Sequence, residues 1–186
     1  MKKIILSLAF VGLISTAFKA GSVYKTSAGE IKFFSHTNME DIDATNNLVA
    51  AALSSDKGAV EFSVNVNSFK FKKALMQKHF QENYMESGKY PKATFKGTIL
   101  ENAKLDYAKD GTYAVKVKGT FTMHGVAKDI TIPGKIIIAG AKATLQNTGK
   151  DFRVKLKDYG IKVPAQNAAN VSEDINITVN CALIKK

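Results

Sequence analysis

From Ala59 to Asn67 apolar and polar side chains take turns along the chain, with Val60, Phe62, Val64 and Val66 set against Glu61, Ser63 and Asn65. A period of two residues is that of a strand with one buried face. The pattern recurs from Thr112 to Met123, where Tyr113, Val115, Val117 and Phe121 oppose Lys116, Lys118 and Thr120. It returns at Phe152, Val154 and Leu156, which alternate with Arg153, Lys155 and Lys157, and at Ile175, Ile177, Val179, Cys181 and Leu183, which alternate with Asn176, Thr178 and Asn180. Weaker alternation marks Glu30–Ser35, Leu48–Leu53, Ala93–Leu100, Asp129–Ile138 and Ala141–Gln146. Turn-forming residues at Asp56-Lys57-Gly58, Asp110-Gly111, Ala139-Gly140 and Asn147-Thr148-Gly149 separate several of these segments. Eight or more strands punctuated by turns predict an all-β antiparallel barrel or sandwich.

One stretch breaks the alternation. Between Lys72 and Ser87 the apolar residues Leu75, Met76, Phe80, Tyr84 and Met85 fall at helical spacing, and Gly88 and Pro91 supply a stop. The pattern predicts one amphipathic helix inserted between two strands. A barrel of about eight strands is just wide enough to be filled by its own side chains or to hold one small ligand. Alternation fits both, because either arrangement presents the same inward apolar face.

The N-terminus carries a different signal. Met1-Lys2-Lys3 precedes an apolar run from Ile4 to Ile14 and the small residues Ser15-Thr16-Ala17. A basic start, a short apolar run and a small-x-small site are the parts of a secretory signal peptide. Cleavage is expected after Ala17, leaving residues 18–186 as one domain, since no linker or internal repeat divides them. The run is too short for a spanning helix, which needs about 20 apolar residues. The only cysteine is Cys181, so no lipid-attachment cysteine follows the signal and no internal disulfide can form. The expectation is an exported, freely diffusing protein of the periplasm, with Cys181 a buried, inert thiol.

Charge narrows the partners. The formal charge of +11 falls to +9 when Lys2 and Lys3 leave with the signal. Such a balance attracts anionic surfaces, yet Arg153 is the sole arginine and the lysines are scattered singly. Nucleic-acid sites favour the bidentate arginine fork, so no nucleic-acid partner is expected, and membrane contact is at most peripheral.

Catalytic chemistry finds little support. His36, His79 and His124 lie in different elements, and no Gly-x-Ser-x-Gly elbow, Cys-x-x-Cys pair or Gly-rich phosphate loop is present. His79 shares the apolar side of the predicted helix with Met76 and Phe80, and reads as a core or capping residue. His124 precedes Gly125 at an expected hairpin turn, where its ring can bond turn backbone. Glu40, Asp41 and Asp43 read as solvated loop acids. An enzyme would need a pocket where His79 or His124 meets a carboxylate within hydrogen-bond reach. Neither catalytic residues, a metal site nor a cofactor are expected.

Several segments taken together resemble the YceI-like family. They are Val64-x-Val66-x-Ser68-Phe69, Met76-x-x-His79-Phe80, Tyr90-Pro91-x-Ala93-Thr94-Phe95-x-Gly97 and Gly119-x-Phe121-Thr122-Met123-His124-Gly125-Val126. The tail adds Phe152-x-Val154, Asp158-Tyr159-Gly160-Ile161 and Ser172-Glu173-Asp174-Ile175. The resemblance implies an extended, lipocalin-like antiparallel barrel that holds a polyisoprenoid or related lipid. Burial would supply the affinity, at about 0.8 kcal/mol per methylene, and needs no polar motif. The expected cavity-lining, lipid-binding residues are Phe62, Val64, Phe95, Ile99, Val115, Val117, Phe121, Ile175, Ile177 and Val179. The alternative is a filled-core barrel acting as an interaction or stress-response module without a lipid ligand.

Overall fold

The computed structural model describes residues 21–186 apart from Thr148. The expected signal segment, residues 1–17, lies outside the described residues. Ten strands form: β1 (Val23–His36), β2 (Asp41–Ser54), β3 (Ala59–Asn65), β4 (Lys70–Phe71), β5 (Lys92–Ile99), β6 (Gly111–Met123), β7 (Val126–Ala139), β8 (Lys142–Gln146), β9 (Arg153–Lys155) and β10 (Asp174–Lys185). Eight of them close a ring in the order β1-β10-β8-β7-β6-β5-β3-β2, and β2 returns to β1 with antiparallel pairing throughout. The two short strands are additions, β4 on β2 and β9 on β10. The chain is therefore a closed eight-stranded antiparallel barrel. Closure pairs most of the strand edges, which protects a β protein from pairing with its neighbours.

Long strands bend at bulges, and the bulges hide their alternation. In β1 the register shifts between Lys25 and Glu30, so the inward parity passes from Tyr24 to Gly29, Ile31 and Phe33. In β2 it passes from Ala44 and Asn46 to Val49, Ala51 and Leu53. The buried Asn46 makes this switch possible: its amide donates to the Asn65 carbonyl at 2.9 Å, and its side-chain oxygen accepts from Leu48 N–H at 2.9 Å. Polar groups that the bulge takes out of the ladder are thereby satisfied.

Several expectations need correction here. Asp41 and Asp43 lie on β2 rather than in a loop, and Glu40 sits at its entrance. They pair with His36 at 2.5 Å, Lys72 at 2.8 Å and Lys73 at 2.9 Å respectively. The strand beginning at Ala59 ends at Asn65, because Val66–Ser68 winds into a 3₁₀ turn in which Asn67 N–H donates to the Asn65 side chain and Val66 N–H to the Pro91 carbonyl. The segment Phe152–Leu156 contributes only the three residues of β9 to the sheet, and Leu156 opens a 3₁₀ turn running to Tyr159.

The inserted helix is also shorter than its periodicity predicts. Regular α-helix, α1, spans Ala74–His79, and Phe80–Tyr84 continues as a wider π turn closed by Met85 N–H bonding the Phe80 carbonyl at 2.9 Å. The extra residue in the turn lets Phe80, Tyr84 and the buried Met85 all face the barrel. Leu75, expected on the apolar face, is exposed instead.

The barrel's two ends differ in packing. At the end carrying the start of β1 and the close of β10, Tyr24, Val49, Leu53, Ile99, Ile136 and Leu183 are at most 2% exposed. At the opposite end α1 and the π turn lie over a cluster of phenylalanine rings. Phe80 sits 5.2 Å from Phe33, 5.7 Å from Phe69 and 5.1 Å from Phe71 between ring centroids.

Candidate functional site

Between the helix and the packed end lies an apolar cavity of about 360 Å³. Its size falls at the lower end of pockets that bury small ligands. Nine of the ten residues singled out from the sequence border it: Phe62, Val64, Phe95, Val115, Val117, Phe121, Ile175, Ile177 and Val179. Ile99 does not. On β5 the inward positions run Phe95, Gly97, Ile99, and the cavity stops before the last of them, which is packed among the side chains of the filled end. The barrel is thus neither filled throughout nor hollow along its whole axis.

A glycine pair shapes the step between the two halves. Gly97 and Gly119 stand directly opposite each other on β5 and β6. A methyl group on Gly97 would come within 2.7 Å of the Phe95 ring, and one on Gly119 would collide with the Lys96 carbonyl. The missing side chains let the Phe95 ring lie against the sheet instead of standing across the barrel.

Sequence reasoning missed much of the lining. Phe33, Phe69, Phe71, Tyr84 and Met85 close the helix side, and Ile132, Gly134 and Leu145 line the wall opposite. Part of the polar lining lies at the rim, where Glu40, His79, Asn167 and Asn170 border the opening. His79 is exposed there, not a core residue. Asn167 donates its amide to the Tyr84 hydroxyl at 3.0 Å, and Ser172 N–H bonds the hydroxyl of the buried Ser35 at 3.0 Å. These bonds hold the loop before β10 against the helix and β1.

The barrel wall is also interrupted. β8 and β9 occupy one strand position between β7 and β10, in two pieces. β8 pairs with both neighbours, but β9 pairs only with β10. Among the described residues, β7 therefore has no ladder partner on this side from Val126 to Gly134. Pro133, which lacks an N–H, suits a strand position without a neighbour. Side chains cover part of the seam, with Phe121 packed edge-on against Phe152 at 5.5 Å and Tyr159 at 5.4 Å. Where β8 ends, the outward-facing Pro133 and Lys135 join Gln146 and Asn147 in bordering the cavity.

His124 does meet a carboxylate. With Gly125 it makes the two-residue turn between β6 and β7, both at positive φ. Its ring leaves the turn, so it does not bond turn backbone as expected: Nδ1 lies 3.0 Å from the Tyr159 carbonyl and Nε2 2.7 Å from Glu86. Tyr90 packs edge-on against the ring at 4.6 Å. Both nitrogens are thus engaged by acceptors, and the pair does not border the cavity. The arrangement ties three segments together and offers no free base to a ligand. Among the described residues no group of three or more His, Cys, Asp or Glu side chains is placed to hold a metal ion, and no helix is long and apolar enough to cross a membrane.

The fold has counterparts among solved structures. A polyisoprenoid-binding domain from Saccharophagus degradans, implicated in plant cell wall breakdown, superposes with a TM-score of 0.74 at 18% identity, covering 90% of this chain and 99% of that one. BcnA of Burkholderia cenocepacia follows at 0.64 and 15% identity, covering 83% and 95%. At these identities the likeness concerns the fold. In sequence, Protein YceI of Escherichia coli O157:H7 is 28% identical over 203 residues, covering 97% of this chain and 96% of its own length. The model of the YceI-like domain matches residues 23–183, which takes in nearly every strand of the barrel, and the chain belongs to the YceI-like family.

Proposed function

We propose that this protein is an exported carrier that holds a polyisoprenoid or related long-chain amphiphile, its apolar chain in the barrel and its polar head at the rim. The observation that carries this reading is the apolar cavity of about 360 Å³ in a barrel whose opposite end is densely packed. A protein needing only a stable core would gain from filling that space, since a void forfeits dispersion contacts. Phe62, Val64, Phe95, Val115, Val117, Phe121, Ile175, Ile177 and Val179 are the contact surface for the chain. The polar groups at the rim suit a head that stays near water.

The role is binding rather than catalysis. The pairing of His124 with Glu86 is accounted for by its ties to the Tyr159 carbonyl and the Tyr90 ring. Residues 1–17 act as a signal peptide that delivers residues 18–186 to the periplasm, where contact with a membrane is peripheral and nucleic acid is no partner. A soluble sheath for an apolar chain has an evident use between two membranes.

Native mass spectrometry of protein from an exporting host tests both parts. The expected result is a chain beginning at Phe18 with one amphiphile bound, and rebinding of polyprenyl or fatty-acyl probes after solvent extraction. A protein that carries no lipid and takes up neither probe overturns the carrier.

A further inference from the structure

The cavity stops at a common floor on strand after strand. Its deepest inward lining residues are Gly134 on β7, Leu145 on β8 and Val179 on β10. The next inward positions towards the packed end are Ile136, Ala143 and Cys181, each 0% exposed, and none of them borders the cavity. Ile99 belongs to the same layer on β5: it is buried, yet it stands directly opposite Val117, which does border the cavity.

A second layer supports this floor. Tyr24 packs against Tyr107 with ring centroids 6.2 Å apart. The Tyr107 hydroxyl donates to the Asn102 side chain at 2.7 Å, and the Asn102 amide donates to the Ser55 carbonyl at 2.8 Å. The loop between β5 and β6 is thereby tied to the turn after β2, across the end of the barrel.

Above the floor the cavity is long and narrow. Val115 and Met123 both border it and lie eight residue steps apart on β6. At about 3.4 Å per residue and a strand tilt of about 40°, they cover roughly 20 Å of the barrel axis. Over that depth, about 360 Å³ leaves a mean cross-section of roughly 18 Å². Carbons of neighbouring chains keep about 4 Å apart, so one chain needs roughly 16 Å² and a second finds no room beside it. Carbon–carbon bonds of about 1.5 Å meeting at about 111° advance about 1.25 Å each. About sixteen bonds, or four isoprene units, therefore reach from the rim to the floor.

Resting on the reading of the protein as a lipid carrier, we propose that the cavity is a closed-ended ruler for a single chain. It takes one prenyl or alkyl chain of up to about sixteen bonds, with the tail end against Ile99, Ile136 and Cys181. Further units stay in water and add nothing to affinity. A lipid with two tails leaves one of them outside. Ile99 and Val115, the deepest lining residue of β6, set the length.

Competition against a fluorescent fatty-acyl probe tests this, with n-alkyl alcohols delivered from cyclodextrin in two-carbon steps. In the unmodified protein affinity should rise by up to about fifteenfold per step to about sixteen carbons, and hold level beyond. Polyprenols should level off at about four units. A two-tailed glycerolipid should bind no more tightly than its single-tailed counterpart. Ile99→Ala lowers the floor and should move the levelling point up by about one step, whereas Val115→Phe raises it and should move the point down. Val115→Phe adds volume to empty space, so the test does not depend on the stability of Ile99→Ala. A merely structural effect would weaken all lengths alike and leave the levelling point in place.

Affinity that keeps rising through the longest chains would overturn the ruler alone. A levelling point that neither variant moves would do the same, as would two tails bound more tightly than one. No binding at any length would overturn the carrier itself.

Discussion

His124 Nε2 lies 2.7 Å from the carboxylate of Glu86, and both residues hold a left-handed backbone, at φ +52° and +42°. The contact joins the β6–β7 turn to the end of the helical cover. For a residue with a Cβ that conformation costs on the order of 1 kcal/mol, so pair and strain can be separated by substitution. Glu86→Ala loses the pair and keeps the strain, and should lower stability by about 1–2 kcal/mol. Glu86→Gly loses the pair but relieves the strain, and should lie about 1 kcal/mol above the alanine variant. Urea midpoints at constant slope read the difference, and equal midpoints would show that the backbone conformation costs nothing.

Two glycines with opposite surroundings give a second comparison. Gly119→Ala drives a methyl group into the Lys96 carbonyl and the Gly97 backbone, and overpacking of this kind costs about 1–3 kcal/mol. Gly88 has nothing within 4 Å of its would-be side chain, so Gly88→Ala should stay within about 0.5 kcal/mol of the parent. Thermal unfolding of the two variants side by side checks the ranking.

The interrupted strand makes a claim about dynamics. β7 is paired with β6 from Val126 to Ile138, but with β8 only from Lys135 onward. Amides between Val126 and Gly134 that point away from β6 should exchange with solvent far faster than their alternate neighbours. Those beyond Lys135 should be protected on both sides. Residue-resolved hydrogen exchange would show this alternation, and uniform protection along β7 would mean that the seam is sealed.

Alkaline pH probes the packed end. Burial pushes the Cys181 thiol up from its ordinary 9.0 to about 12, and the Tyr107 phenol from 10.0 to about 12. Both stay protonated in the folded protein at pH values where the unfolded chain has released its protons. Stability should therefore be full below about pH 9 and decline from there towards pH 12. The melting temperature across that range follows the decline, and Cys181→Ala should flatten its onset. At pH 8 a thiol reagent should modify Cys181 only as fast as the protein unfolds, and immediate labelling of the native protein would contradict the burial.

The strands that keep one inward parity, such as β6 and the stretch from Ile175 to Leu183, were plain in the sequence, because alternation is a direct consequence of one wet and one dry face. β1 and β2 were only half visible. Their bulges switch parity, and a buried Asn46 looks polar until its two bonds are known. The helix was overextended because Phe80, Tyr84 and Met85 suit an α-helix and a π turn alike. The cavity residues were found for a general reason: they are the inward apolar positions. For that same reason Ile99 could not be told apart from Phe95. What separates them is the Gly97–Gly119 pair, and a glycine inside a strand does not by itself announce that a neighbouring ring will lie flat. The ion pairs of Glu40 and Asp43 with Lys73 and Lys72 span some thirty residues, a distance over which charge pattern carries no pairing information.

The packed end carries a consequence for how such a molecule can change. Rigidity and capacity reside in different lengths of the same strands, so the half that keeps the ring together is insulated from the half that stays hollow. Substitutions around Phe95, Val115 or Ile177 can enlarge, narrow or re-line the hollow without disturbing the side chains near Leu53 and Leu183. The barrel behaves as a handle with an interchangeable socket, and the freedom of that socket to be re-lined follows from where its strands concentrate their packing.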